Sequence, residues 1–110
     1  MSFPLHNVLV VGGGPTGVGA ALAASSEGAK TLVVERHGML GGMWTAGLLN
    51  PLFEPVRGWW VERLVKRVHE SGGWREHPKF PVFDVEVMKY TLEQMLNEMG
   101  VDFWYHVQAS

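Results

Sequence analysis

A glycine-rich segment from Gly12 to Gly17, with the sequence GGGPTG, constrains this chain more than any other feature. It follows the β-branched apolar run Val8 to Val11, which is typical of a buried parallel strand. It opens the alanine-rich stretch Pro15 to Glu27, which predicts a helix that ends near Gly28. The run Thr31 to Glu35 predicts a second strand. The opening of the chain is therefore predicted to be a β-α-β unit.

The pattern G-x-G-x-x-G within this segment has a physical reason at each glycine. Gly12 permits the tight turn out of the strand, Gly14 lets a pyrophosphate approach the backbone, and Gly17 lets the helix pack closely on the sheet. The helix N-terminus offers unpaired N–H groups and partial positive charge to phosphates. We therefore predict that a dinucleotide binds here. The predicted binding residues of this segment are Gly12, Gly14, Pro15, Thr16 and Gly17.

An acidic residue, Glu35, ends the second predicted strand, 18 residues beyond Gly17. A carboxylate at that position accepts hydrogen bonds from both ribose hydroxyls and repels a 2′-phosphate. The pattern therefore disfavours NADP and leaves both FAD and NAD open.

The rest of the chain is predicted to add a loop, two helices and a strand. The loop spans Arg36 to Pro55, a helix spans Gly58 to Glu70, and Ser71 to Pro81 forms a connector. Asp84 is predicted to cap a helix that runs to Met99, and Val101 to Val107 to form the third strand. The expected fold class is α/β, a partial Rossmann-type three-layer fold. Its short parallel sheet has the order 3-2-1 with right-handed crossover helices.

With these motifs, the chain resembles the FAD-dependent oxidoreductase family that has the glutathione-reductase-type Rossmann fold. In that family a Glu-Arg pair ends the second strand and a Gly-Gly-x-x-Thr segment follows. Here these are Glu35-Arg36 and Gly41-Gly42-Met43-Trp44-Thr45. The stretches Asp84 to Tyr90 and Gly100 to Asp102 also look like the family's helix and strand before its adenine contact.

The resemblance implies FAD as the cofactor, because the second glycine pair is more selective for FAD than the first motif. It implies that Arg36 lies near the adenosine and that Gly41, Gly42 and Thr45 run beside the pyrophosphate towards the flavin. It also implies a backbone contact to adenine near Ala109. Trp44, Thr45 and Asn50 are the nearest candidates for contacts on the flavin side, and no side chain is assigned a catalytic role.

The family resemblance extends over several hundred residues, whereas this chain stops after the third predicted strand. We therefore expect residues 1–110 to be the N-terminal part of an FAD/NAD(P)-binding Rossmann domain, incomplete for catalysis. The expected function is to hold the ADP half and pyrophosphate of FAD in a flavin-dependent oxidoreductase with an unidentified small-molecule substrate. Two alternatives stay open, an NAD-binding Rossmann domain and a truncated, non-catalytic module that binds nucleotide or self-associates.

Composition bears on partners and location. A net charge of −2 gives no electrostatic argument for nucleic acid or an anionic membrane, and no apolar run approaches the roughly 20 residues of a membrane span. The absence of cysteine fits a cytoplasmic protein. The five histidines lack metal-ligand spacing.

Because strand Val8 to Val11 would have an unpaired edge, we expect a homo-oligomer formed through that edge. Core positions are expected at Met88, Met95, Met99 and Trp104, and a solvated helix face at Arg63, Lys66 and Arg67.

Overall fold

The computed structural model describes residues 5–47, 59–79 and 81–108. Helices and strands alternate over most of this length. They are β1 (Val8–Val11), α1 (Pro15–Ser26), β2 (Thr31–Val34), α2 (Trp59–Glu70), β3 (Trp74–Arg75), β4 (Val82–Phe83), α3 (Val85–Glu98) and β5 (Asp102–Trp104). A single 3₁₀ turn, Gly42–Trp44, interrupts the loop that follows β2. The predicted α/β class is confirmed.

The main sheet is parallel and has the strand order β1-β2-β5. Val10 on β1 pairs with Val33 on β2, and Val33 pairs with Phe103 on β5. Helix α1 links β1 to β2, and α3 leads into β5, so helices connect the successive parallel strands. The predicted order 3-2-1 with crossover helices is therefore confirmed.

The hydrophobic core lies between one face of this sheet and the helices. Val33, at the centre of the sheet, is fully buried against side chains from α1 and α3. Helix α2 packs on α3 and adds Leu64 and Val68. The core cluster also contains Val18, Ala21, Leu22, Leu40, Phe83, Met88, Leu92, Met95, Leu96 and Val101, with Met99 packed against it. The prediction of core positions is confirmed for Met88 and Met95, whereas Met99 is partly buried at the edge of the core.

The opposite face of the sheet carries apolar side chains that remain exposed. Leu9, Val11 and Trp104 are 59%, 62% and 49% exposed, and the pairing register places them on the face away from Val10 and Val33. In the described ranges, the helices pack on the Val33 face. The structure thus shows the sheet and one helical layer of a three-layer fold. The prediction that Trp104 is buried is wrong, because its strand exposes alternate residues on a face that these helices leave open.

Both predicted helix caps on the core helices are confirmed. Gly14 precedes α1 with extended backbone, Pro15 occupies the first helical position, and Gly28 follows the helix with φ +89°. The Asp84 side chain accepts a hydrogen bond from the Val87 N–H at 3.1 Å, which satisfies one of the free donors at the start of α3.

Two other features differ from the sequence-based expectations. The predicted connector after α2 contains part of a small antiparallel pair, in which Trp74 faces Phe83 and Arg75 faces Val82. The regular third strand ends at Trp104 rather than Val107, because His106 adopts φ +59° and interrupts the regular pairing.

Helix α2 is predicted to be solvated along its basic face, but Arg67 is tied to α3. Its Nη1 donates to Oε1 of Glu98 at 2.8 Å, and this hydrogen bond lowers the pKa of the Glu98 carboxyl.

Over the part of the chain that the structure describes, each helix is too short or too polar to cross a bilayer.

Candidate functional site

A cavity of about 520 Å³ opens at the carboxyl ends of β1 and β2. In open parallel sheets, ligands bind outside this edge. Four of the predicted site residues, Gly12, Glu35, Arg36 and Gly42, line the cavity. The other lining residues are Val11, Val34, His37, Met43, Ala46, Gly47, Val107 and Gln108.

The turn from β1 into α1 depends on two glycines in contact. Gly12 has φ +96°, a left-handed conformation that favours glycine, and its N–H donates to Val34 O at 2.8 Å. A Cβ on Gly17 would lie 1.8 Å from the Gly12 carbonyl oxygen, so this position has no room for a side chain. The helix therefore starts directly against the end of the strand, which is the close packing that the motif predicts.

The N-terminus of α1 faces open space beside the cavity. The first helical hydrogen bond runs from Val18 N to Gly14 O at 2.9 Å, so the N–H groups of Thr16 and Gly17 lie in the first turn, where helices lack internal acceptors. A Cβ on Gly14 would meet only the Gly42 Cα, 4.0 Å away, and one on Gly12 would meet no atom within 4 Å. These two glycines therefore leave open space beside the helix N-terminus, as the approach of a pyrophosphate would require.

The second glycine pair packs directly on the first motif. Gly41, with φ +110°, donates its N–H to Gly13 O at 2.8 Å. Gly42 lies so close that a Cβ on it would be 3.1 Å from the Gly14 Cα. The segments around Gly14 and Gly42, separated in sequence by β2, therefore form one continuous backbone surface beside the start of α1.

The Glu35 carboxylate connects the end of β2 to this backbone surface. The residue is only 5% exposed; Oε1 accepts from Gly13 N at 2.9 Å and Oε2 accepts from His37 N at 2.7 Å. Each carboxylate oxygen can accept more than one hydrogen bond, so both retain capacity for a hydroxyl of a ligand in the cavity. Glu35 thus holds the glycine loop in place and also lines the cavity.

Other predicted site residues are placed differently. Arg36 is exposed at the cavity wall, and Thr16 is exposed on the first turn of α1. The Thr45 side chain is buried and its hydroxyl donates to Leu40 O, so it braces the loop and does not face the cavity. Trp44 is half-buried and packs edge-on against Phe83 at 6.2 Å. Ala109 and Asn50 lie outside the described residues.

Sequence reasoning missed the wall of the cavity formed by His37, Met43, Val107 and Gln108. Met43 lies inside the second glycine segment, and Gln108 precedes the predicted adenine contact at Ala109. Their closeness in sequence to these predicted binding residues is the one feature that could have indicated them. Next to His106 in the sequence, Tyr105 packs against the core, and its hydroxyl donates to the Glu93 carboxylate. Burial raises the pKa of Tyr105, and Glu93 raises it further.

Residues 7–110 match the model of the FAD dependent oxidoreductase family. The chain belongs to this family, and the family's cofactor, FAD, is the one that the second glycine segment indicates. The fold and the site agree with this assignment, because the glycine surface at the start of α1 leaves room for a pyrophosphate. The predictions of family, fold and cofactor are therefore confirmed.

The chain is similar in sequence to parts of longer proteins. It is 41% identical over 80 residues to thiamine thiazole synthase from Archaeoglobus fulgidus, covering 71% of this chain and 29% of that protein. It is 54% identical over 43 residues to dihydrolipoyl dehydrogenase from Trypanosoma brucei brucei, covering 36% of this chain and 9% of that protein. The chain thus spans less than a third of the length of either relative.

Solved structures show the same fold. The crystal structure of Thermovibrio ammonificans THI4 superposes with a TM-score of 0.62 at 27% identity, covering 94% of this chain and 39% of that one. The structure of OTEMO in complex with FAD and NADP superposes with a TM-score of 0.59 at 21% identity, covering 99% of this chain and 20% of that one.

Replacing Gly17 with Ala should disrupt the turn, because the new Cβ would overlap the Gly12 carbonyl oxygen. We expect a loss of about 3 kcal/mol in the free energy of unfolding, measured by urea denaturation. The control is Gly14→Ala, whose Cβ is 4.0 Å from its nearest neighbour and whose φ of −71° alanine adopts freely. This control should lose about 1 kcal/mol or less. Equal losses in the two variants would contradict the packing role of Gly17.

Replacing Glu35 with Gln should loosen the glycine loop even without a ligand. The amide can accept from only one of the Gly13 and His37 N–H groups, and its own NH₂ opposes the other donor. We expect a loss of about 1–3 kcal/mol in the free energy of unfolding. Glu27→Gln, at an exposed position, is the matched control and should be neutral. A neutral Glu35→Gln variant would show that the carboxylate does not brace the loop.

Proposed function

We propose that this chain holds the ADP half and pyrophosphate of FAD in a flavin-dependent oxidoreductase, as the N-terminal part of its Rossmann domain. One observation carries the proposal. The two glycine segments meet at the N-terminus of α1, beside the Glu35 carboxylate, and leave open space there. Bound FAD supplies the electron-transfer chemistry, while the protein binds and orients it.

Each part of the site has a proposed role. The N–H groups of the first turn of α1 donate to the pyrophosphate, and Gly12 and Gly14 leave it room to approach. Glu35 accepts from the ribose hydroxyls, and Arg36 lies beside the adenosine. Gly41 and Gly42 continue the backbone surface towards the flavin, and Thr45 stabilises their loop from the protein side. A backbone contact of Ala109 with adenine stays a prediction.

The electrostatics of the cavity support a cofactor without a 2′-phosphate. The Glu35 carboxylate lies in the cavity wall at the end of β2, where a 2′-phosphate would be repelled. An NAD-binding Rossmann domain is the competing proposal, since the first glycine motif and the acidic residue serve NAD as well. The relative affinities for FAD and NAD separate the two.

We expect the chain to bind FAD and ADP more tightly than NAD in isothermal titration calorimetry. Gly14→Val should weaken FAD binding about tenfold or more, because its side chain occupies the space in front of the helix N-terminus. Ala23→Val, at an exposed position later in α1, is the matched control and should bind FAD like the unmodified chain. Tighter binding of NAD than of FAD, or unchanged binding by Gly14→Val, would contradict the proposal.

We further propose that two copies of this chain associate through β1. In the described part of the sheet β1 is an edge strand, and such an edge presents unpaired backbone groups that can pair with an identical strand. Leu9 and Val11 on this strand are more than half exposed, and Trp104 adds to the same sheet face. A symmetric dimer would bury the apolar surface of both copies.

We also propose a cytoplasmic location, which suits a chain without cysteine.

Light scattering after size exclusion should show a dimer of the 110-residue chain that dissociates on dilution. Leu9→Lys should shift the chain to the monomer, because it places a charge on the associating face. Tyr90→Lys is the matched control, since Tyr90 is 62% exposed on α3 and away from the sheet. A monomer at high concentration, or equal behaviour of the two variants, would contradict association through β1.

A further inference from the structure

The carboxyl end of β5 departs from a regular parallel ladder next to Glu35. The Glu35 N–H donates to Trp104 O at 2.9 Å, and the Glu35 carbonyl accepts from Val107 N at 3.0 Å. In a regular parallel ladder the second donor would be residue 106, so one extra residue is accommodated between these two hydrogen bonds. The irregularity is a β-bulge at the point where β5 reaches the cavity.

His106 is the residue that makes this bulge possible. Its φ is +59°, and among the described residues the others with positive φ are all glycines. A residue with a side chain enters this left-handed region at a cost, which is greatest for β-branched side chains and smallest for glycine and asparagine. The conformation persists because the Glu35 backbone holds the chain on both sides of it.

The bulge determines which residues form one wall of the cavity. Val107 and Gln108, which directly follow His106, line the cavity. The loop that carries Arg36 and His37 lines the same cavity. The two walls are also in contact, because the His106 N–H lies 3.4 Å from His37 O. The His106 ring lies against Gly38, where a Cβ would be 3.1 Å from Cε1 of the ring.

We infer that His106 is a positioning residue for the ADP half of FAD, acting through its left-handed backbone rather than through imidazole chemistry. Its conformation turns Val107 and Gln108 into the wall of the cavity and keeps that wall against the Arg36–His37 loop. This inference rests on the proposed function, since it assumes that the nucleotide occupies this cavity. A variant that cannot adopt φ near +60° must rearrange before the wall forms, and its apparent affinity falls accordingly.

The test compares four substitutions of His106 in the full chain, with ADP and FAD as the titrated ligands. His106→Val should weaken binding of both about tenfold, and His106→Ala should fall between Val and the unmodified chain. His106→Gly and His106→Asn, which accept the left-handed conformation, should bind within about threefold of the unmodified chain. His69→Val, on the exposed surface of α2, is the matched control and should have no effect.

A second measurement needs no ligand. Amide hydrogen exchange at Val107, whose N–H donates to Glu35 O, should accelerate in His106→Val and stay protected in His106→Gly. Unchanged affinity and protection in His106→Val would overturn the inference, as would equal losses in His106→Gly and His106→Val. If the unmodified chain binds neither FAD nor ADP, the proposed function fails with the role in binding. The exchange measurement then still shows whether His106 sets the wall.

Discussion

The close contact of Gly17 with the Gly12 carbonyl is the constraint on which the rest of the site depends. It brings the first turn of α1 against the end of β1, so the unpaired N–H groups of the helix lie at the carboxyl edge of the sheet. The same turn leaves the Gly13 N–H free to reach the Glu35 carboxylate and the Gly13 carbonyl free to accept from Gly41. One small separation between two backbones thus fixes the relative positions of both glycine segments and the acidic residue.

The hydrogen bonds of Glu35 organise the site before any nucleotide enters it. Its two oxygens are held by backbone donors from opposite sides, one in the glycine loop and one in the loop that begins the cavity wall. A buried carboxylate needs such partners, and here they also aim it at the cavity. A ligand that accepts this arrangement avoids much of the entropic cost of ordering the two loops.

Local signals predicted most of the fold and four of the residues that line the cavity, Gly12, Glu35, Arg36 and Gly42. The first β-α-β unit and the caps at Gly28 and Asp84 follow from short-range rules, because each depends on residues within one turn or strand. The hairpin of β3 and β4 was missed because two residues per strand carry no periodicity. The burial of the Thr45 hydroxyl and the exposure of Trp104 depend on tertiary neighbours that the sequence does not name. The bulge at His106 is likewise set by Glu35, which directly follows β2 and is far from His106 in the sequence.

The exposed sheet face and the cavity share residues. Val11 and Val34 line the cavity and also belong to the face that carries Leu9 and Trp104. Any surface that covers this face therefore also changes the surroundings of a bound nucleotide. Thermodynamic linkage then requires that the nucleotide alter the affinity for that surface by the same factor by which the surface alters affinity for the nucleotide. A partner on this face and a nucleotide in the cavity would therefore contact side chains of the same two neighbouring strands, β1 and β2.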